Sequence, residues 1–160
     1  MLLRLLDKLK SQKHVGKFTY SIVVADNDPT CSAEDGVRAF CETNSIGLVY
    51  CSQPERNIAL TRNAAISEAT GDLIAFIDDD EFPVREWLIR LYETLLIEDV
   101  AAVLGPVRPH FESAPPDWVT KGRFCERPEY PTGTRIDWRH CRTGNVLFRK
   151  QFLKDGEPPF

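Results

Sequence analysis

Residues 73–81 run Leu-Ile-Ala-Phe-Ile-Asp-Asp-Asp-Glu, an unbroken apolar stretch leading straight into a carboxylate cluster. Leu73 to Ile77 has the length and continuity of a strand covered on both faces. Such a strand needs helices above and below it, so the chain is restricted to a layered α/β architecture. Pro83 soon stops regular pairing, which places the acids where the strand leaves its sheet. Open α/β sheets bind ligands outside the carboxyl ends of their strands. Two residues apart on a strand, Asp78 and Asp80 are separated by roughly 6.6 Å. At an effective dielectric of about 20 their repulsion is about 2.5 kcal/mol. A hard divalent cation, Mg²⁺ or Mn²⁺, would offset it, because such ions take oxygen ligands and keep a substrate phosphate in their shell. A solvated acidic turn is the competing reading.

The flanking sequence alternates between the two periodicities. Ser21 to Ala25 reads as a strand ending in the turn Asp26-Asn27-Asp28-Pro29. Ser32 is a candidate cap for a helix through Glu42, and Ile46 to Cys51 is a further strand. Asn57 to Thr70 carries Ile58, Ala59, Ala65, Ile66 and Ala69 at helical spacing, with Gly71 as terminator. A helix from about Val84 to Ile97 sets Trp87, Leu88, Leu91, Leu95 and Leu96 on one face, and Val100 to Leu104 is a strand. Ahead of all these, Leu2, Leu5, Leu6 and Leu9 make one face of an N-terminal helix. The pattern predicts a mostly parallel sheet flanked by helices. From Pro106 to Phe160 the chain holds eight of its eleven prolines. It reads as irregular, with one short strand at Asn145 to Phe148, and loop-rich stretches of this length are usually functional.

Composition narrows the function classes. With 160 residues, 42% hydrophobic, the chain can bury one core. A net charge of −4 and an isoelectric point near 5.4 speak against a nucleic-acid surface. Basic residues do become denser after Arg108, where an anionic ligand could be met. Cysteines 31, 41, 51, 125 and 141 show no Cys-x-x-Cys spacing, which fits reduced thiols in the cytoplasm. His110, Cys125, His140 and Cys141 make a poor zinc set because two of them are adjacent. Charges at positions 4, 7 and 8 interrupt the N-terminal apolar run, unlike a signal peptide. Packing on the sheet is the plain role for that helix, and peripheral association with the inner face of a membrane is the alternative.

Asp26, Asp28 and the acids from Asp78 onward all follow strands that would open on one edge of a parallel sheet. Arg62 lies near a helix start, where the helix dipole adds positive potential for a phosphate. Acids for sugar hydroxyls and metal, plus an arginine for phosphate, suit a nucleoside diphosphate. Taken singly, Arg62 also reads as a surface ion-pair residue and Asp26 as a turn former.

Val23 to Asp28, Asn57 to Asn63, and Gly71 to Pro83 followed by Trp87-Leu88 resemble family 2 glycosyltransferases of the GT-A fold. Thr143 to Arg149 is similar to that family's acceptor-side strand. The resemblance implies a nucleotide-sugar donor bound by Asp26 at the base, Asp78 at the ribose and Arg62 near the phosphates, with Asn63 and Asp79 beside them. It makes Asp78 to Asp80 a DXD motif in which Asp80 ligates Mg²⁺ or Mn²⁺, and puts Gly144 and Asn145 on the acceptor side. Residues 1–105 would then form the nucleotide-sugar part and 106–160 the acceptor-side segment of one domain. The implied chemistry is inversion by direct attack of a hydroxyl from a glycan, lipid or other acceptor. Ala59 and Ala65 stand where the family often has glycine. The family also has a central strand before its first helix, and a catalytic base in a Glu-Asp motif after the acceptor-side strand. Neither is found between Met1 and Phe160, since Glu157 precedes Pro158-Pro159. The expectation is a member truncated at both ends and inactive as written. A Mg²⁺-dependent phosphoryl-transfer domain, with Lys150 or Lys154 as its lysine, and a non-catalytic interaction domain are the alternatives.

Overall fold

The computed structural model describes residues 1–153 and 159–160, so Lys154 and Glu157 lie outside the described residues. Helices and strands alternate as the periodicity predicts: α1 (Leu2–Lys10), β1 (Ile22–Asp26), α2 (Glu34–Thr43), β2 (Leu48–Ser52), α3 (Ile58–Glu68), β3 (Leu73–Phe76), α4 (Trp87–Ile97), β4 (Ala102–Leu104), α5 (Asp117–Gly122) and β5 (Val146–Arg149).

β1 and β2 pair in parallel from Ile22↔Leu48 to Asp26↔Ser52. β5 lies between β3 and β4 and runs antiparallel to both. β3 and β4 therefore share one direction, as a strand–helix–strand crossover requires. Only β5, which follows no such crossover, runs against its neighbours. Among the described residues, β1 bonds to no strand but β2, and β3 to none but β5. The Ile22 N–H donates to Gly47 and the Gln53 N–H to Asp26, so Val23 and Ala25 turn their backbone groups away from β2. The Lys150 N–H donates to Asp72, which likewise turns Leu73 and Ala75 away from β5.

One core joins the two sheets. Leu5, Leu6 and Leu9 of α1 pack with Ile22 and Val24 of β1, Val37 and Phe40 of α2, Trp87, Leu91 and Leu95 of α4, and Leu147 of β5. The apolar face of α1 is thus consumed inside the fold. Buried Gln12 fastens the end of α1 to α4: its amide donates to the Val84 carbonyl at 2.9 Å and accepts from the Leu88 N–H at 3.1 Å. Among the described residues no helix is long and apolar enough to cross a membrane.

Several boundaries shift for local reasons. Ser32 does not cap α2; Ala33 occupies the N-cap, and its N–H donates to Asp26 at 3.0 Å. α3 ends at Glu68 with an extended Ala69 after it, so Gly71 is not its terminator. On α4, Leu96 is 49% exposed while Ile89 is buried, because the helix is covered on a wider arc than one stripe. α5 interrupts the stretch read as irregular. Pro116 precedes its first turn, Lys121 pairs with Asp117 one turn earlier, and a left-handed Arg123 (φ 51°) ends it.

Candidate functional site

The acids that follow β3 do not continue the strand. The Glu81 N–H donates to the Asp78 carbonyl at 3.0 Å, closing a turn over Asp78–Glu81. That turn brings the first and last acids of the run side by side. Asp78, Asp79 and Asp80 are exposed, and Glu81 is half-buried. Gly144, just ahead of β5, lies against both ends of the turn. A Cβ on Gly144 would sit 2.9 Å from Asp78 Oδ2 and 3.1 Å from Glu81 Oε1, so a side chain there would push the two carboxylates aside.

Burial pushes the Glu81 carboxyl up from its ordinary value of 4.5, and the negative charges of Asp78 and Asp80 add to the effect. Arg142 opposes them with positive charge, and its Nε is buried without a hydrogen-bond partner among the described residues. A raised carboxylate makes folding most favourable while the group is protonated, and that advantage is lost as pH rises through the folded value. Glu81→Gln should therefore raise the melting temperature at neutral pH and leave it unchanged below about pH 4. Thermal melts in EDTA across that range test this, and equal gains at both ends would refute it.

Arg62, on α3, is only 17% exposed and reaches Asp78 with Nη2 to Oδ1 at 3.5 Å. Its guanidinium lies 5.8 Å from the centre of the Phe160 ring, which also meets Phe76 edge-on at 6.0 Å. The Asn63 amide forms a reciprocal pair with the Phe160 backbone, donating to its carbonyl at 2.9 Å and accepting from its N–H at 3.2 Å. The start of α3 is not an open anion site: Asn57 Oδ1 accepts from the Ala59 and Leu60 N–H groups at 2.9 and 3.4 Å. Arg62 itself is the positive group that faces the acids.

Asp26 holds the turn after β1. Its Oδ1 accepts from the Asp28 N–H at 2.9 Å, and its Oδ2 from the Ala33 N–H and the Tyr50 hydroxyl, each at 3.0 Å. Burial and the bond to Asp26 push the Tyr50 phenol upward. The structure thus brings Arg62, Asp78, Glu81 and Gly144 together, sets Asp79 and Asp80 beside them in the turn, and leaves Asp26 at its own strand end. Asn145 is buried, with its amide engaged inside the fold. Glu81 was legible in the acid run. Arg142 stood only among the basic residues that become denser after Arg108, and Phe160 carried no signal, since the contacts of both join segments distant in sequence.

The donor set fits a hard cation. Among the described residues no three acid, histidine or cysteine side chains form a ready cage. Mg²⁺ and Mn²⁺ need none, because one or two carboxylates, waters and substrate phosphates complete their shell.

Known proteins resemble the chain in sequence and in fold. The chain is 37% identical over 129 residues to the succinoglycan biosynthesis protein ExoM of Rhizobium meliloti, a match covering 81% of this chain and 41% of that protein. It is 25% identical to chondroitin synthase of Escherichia coli, over 85% of this chain and 24% of that one. The chain therefore spans less than half the length of these relatives. The mannosyltransferase PcManGT of Pyrobaculum calidifontis, solved with GDP-Man and Mn²⁺, superposes with a TM-score of 0.60 at 27% identity, over 67% of this chain and 32% of that one. S. aureus TarS superposes with a TM-score of 0.66 at 20% identity, over 92% of this chain and 42% of that one, and bears on the fold alone. Both neighbours are of the GT-A type. The family described as "Glycosyl transferase family 2" matches residues 1–156, and the chain belongs to that family.

Proposed function

We propose that this chain carries the donor-binding part of an inverting, metal-dependent glycosyltransferase that moves a sugar from a nucleoside-diphosphate sugar to a hydroxyl acceptor. The observation that carries the reading is the convergence of Arg62, Asp78, Glu81 and Gly144 at the end of β3. A positive fork, a carboxylate cluster and a glycine-bared wall meet where an open sheet takes its ligands. The neighbour solved with GDP-Man and Mn²⁺ supports both the donor class and the metal.

In this reading Asp78 faces the ribose, Asp79 and Asn63 line the donor pocket, and Asp26 reaches the base while still holding its turn. Asp80 holds Mg²⁺ or Mn²⁺, which when bound acts as a Lewis acid on the diphosphate. Arg62 exchanges its contact with Asp78 for the phosphates. Residues 106–160 supply the acceptor side through Gly144. Asp117, Glu126 and Asp137 are each tied to a neighbouring cation or imidazole, so we assign none of them as catalytic base. Glu157 lies outside the described residues. Reduced cysteines fit a cytoplasmic enzyme at the inner face of the membrane, working on a glycan or lipid-linked acceptor. A phosphoryl-transfer reading finds less support, because the Lys150 ammonium donates to the Ala69 carbonyl rather than facing the acids.

Calorimetry with UDP and GDP, each with and without Mn²⁺, tests the reading. Arg62→Lys should weaken binding of the preferred diphosphate about tenfold, ~1.4 kcal/mol, because a point charge replaces a planar fork. The matching nucleoside should lose much less. Equal losses for both ligands would reduce Arg62 to a helix-supporting residue.

A further inference from the structure

Gly144 can press against Asp78 and Glu81 only if the backbone behind it is held there. The next residue, Asn145, is 8% exposed and has a left-handed backbone, φ 52°. Asparagine tolerates that conformation better than most residues with a side chain. Its Oδ1 accepts from the Trp87 indole N–H at 2.6 Å, and its Nδ2 donates to the Pro106 carbonyl at 2.9 Å. The indole can only donate and the carbonyl only accept, so the amide orientation follows from its partners. The Asn145 main-chain carbonyl accepts from the Gly105 N–H at 2.9 Å. A Cβ on Gly105 would overlap the Asn145 amide, so that strand end is also bared to admit it.

We propose that Asn145 is a positioning residue whose clamp between Trp87, Gly105 and Pro106 sets Gly144 against Asp78 and Glu81. It touches neither donor nor acceptor. It acts by fixing one wall of the carboxylate site, and its role in catalysis rests on the donor-binding reading above. The clamp draws on α4, the end of β4 and the start of β5, so elements remote in sequence hold the wall at one point. A side chain serving only as core filler would not need an oriented amide, a donor-only partner and an acceptor-only partner. Trp87 would then contribute area alone.

Four substitutions load the clamp in different ways. Trp87→Phe removes the indole N–H and keeps an aromatic ring. Asn145→Gly removes the amide and keeps the left-handed backbone accessible. Asn145→Asp keeps the shape but turns a second acceptor toward the Pro106 carbonyl. Gly105→Ala displaces the amide from the other side. Each variant is made in the full chain labelled with ¹⁵N-glycine, and spectra are taken well below its melting temperature. The Gly144 amide resonance should shift and exchange faster in all four, while Gly36 and Gly47, which lie against Leu3 and Ser21, stay in place. In the same samples Mn²⁺-dependent affinity for UDP or GDP should fall about tenfold.

A Gly144 resonance that stays put in Trp87→Phe and Asn145→Gly would overturn the proposal. So would a shifted resonance with unchanged Mn²⁺-dependent affinity, since the network would then serve stability alone. If the unaltered chain bound neither UDP nor GDP with Mn²⁺, the donor-binding reading would fall instead. The clamp would then be judged on the Gly144 resonance alone.

Discussion

Asp80→Ala should abolish the Mn²⁺-dependent part of nucleoside-diphosphate binding and leave the metal-free fold at least as stable. A hard cation at this site draws on one or two carboxylates, with water and phosphate completing its shell. Loss of a direct ligand should therefore exceed the ~10–100-fold cost of losing an outer-shell partner. Stability should move the other way. Asp80 is exposed in the turn, and its charge helps to push the Glu81 carboxyl upward, so removing it relieves repulsion. Calorimetry with and without Mn²⁺, and thermal melts in EDTA, measure the two effects separately. Equal affinity of the unaltered chain with and without Mn²⁺ would remove Asp80 from the ligand set.

Leu6→Ala should be among the most damaging leucine truncations in the core. Leu6 is 0% exposed, and removing its buried methyl groups costs about 2–5 kcal/mol when the cavity cannot collapse. Total stabilities of about 5–15 kcal/mol make that a large fraction. Among the described residues no ladder joins the two sheets; the shared apolar cluster does so, with the leucines of α1 in it beside residues from both. The loss should therefore also reduce cooperativity. Urea unfolding followed by tryptophan fluorescence and by far-ultraviolet circular dichroism tests this. The chain has three tryptophans; with Trp118 and Trp138 replaced by Phe, fluorescence reports Trp87 in α4, which packs on β4 and β5, so it follows one sheet while dichroism averages the whole chain. Coincident curves with an unchanged slope and a loss below 1 kcal/mol would refute it.

The strands were legible because apolar runs bounded by turn residues have few other fates. The acid cluster was legible because four adjacent carboxylates at a strand end need an explanation. Direction and contact were harder. Nothing in Asn145 to Phe148 says that β5 enters between β3 and β4, since strand order depends on pairings across long loops. Asn145 reads as an acceptor-side residue by resemblance, and nothing beside it in the sequence points to its partners Trp87 and Pro106, 58 and 39 positions away. Ser32 had the chemistry of a cap, but the Glu34 N–H donates to the Cys31 carbonyl and the Ser32 side chain bonds to Asp28. Contacts within the turn after β1 decided that boundary, and local propensity cannot register them.

The reciprocal amide pair between Asn63 and Phe160 bears on how any affinity measured for this chain is to be understood. A backbone segment docked on Asn63, with its ring beside Arg62, is a tethered competitor for the groups a donor phosphate would use. The observed dissociation constant is then the intrinsic one divided by the fraction of molecules in which the segment is undocked. On the donor-binding proposal, affinity at this site would be governed by the residence of Phe160 as well as by the ligand's own contacts.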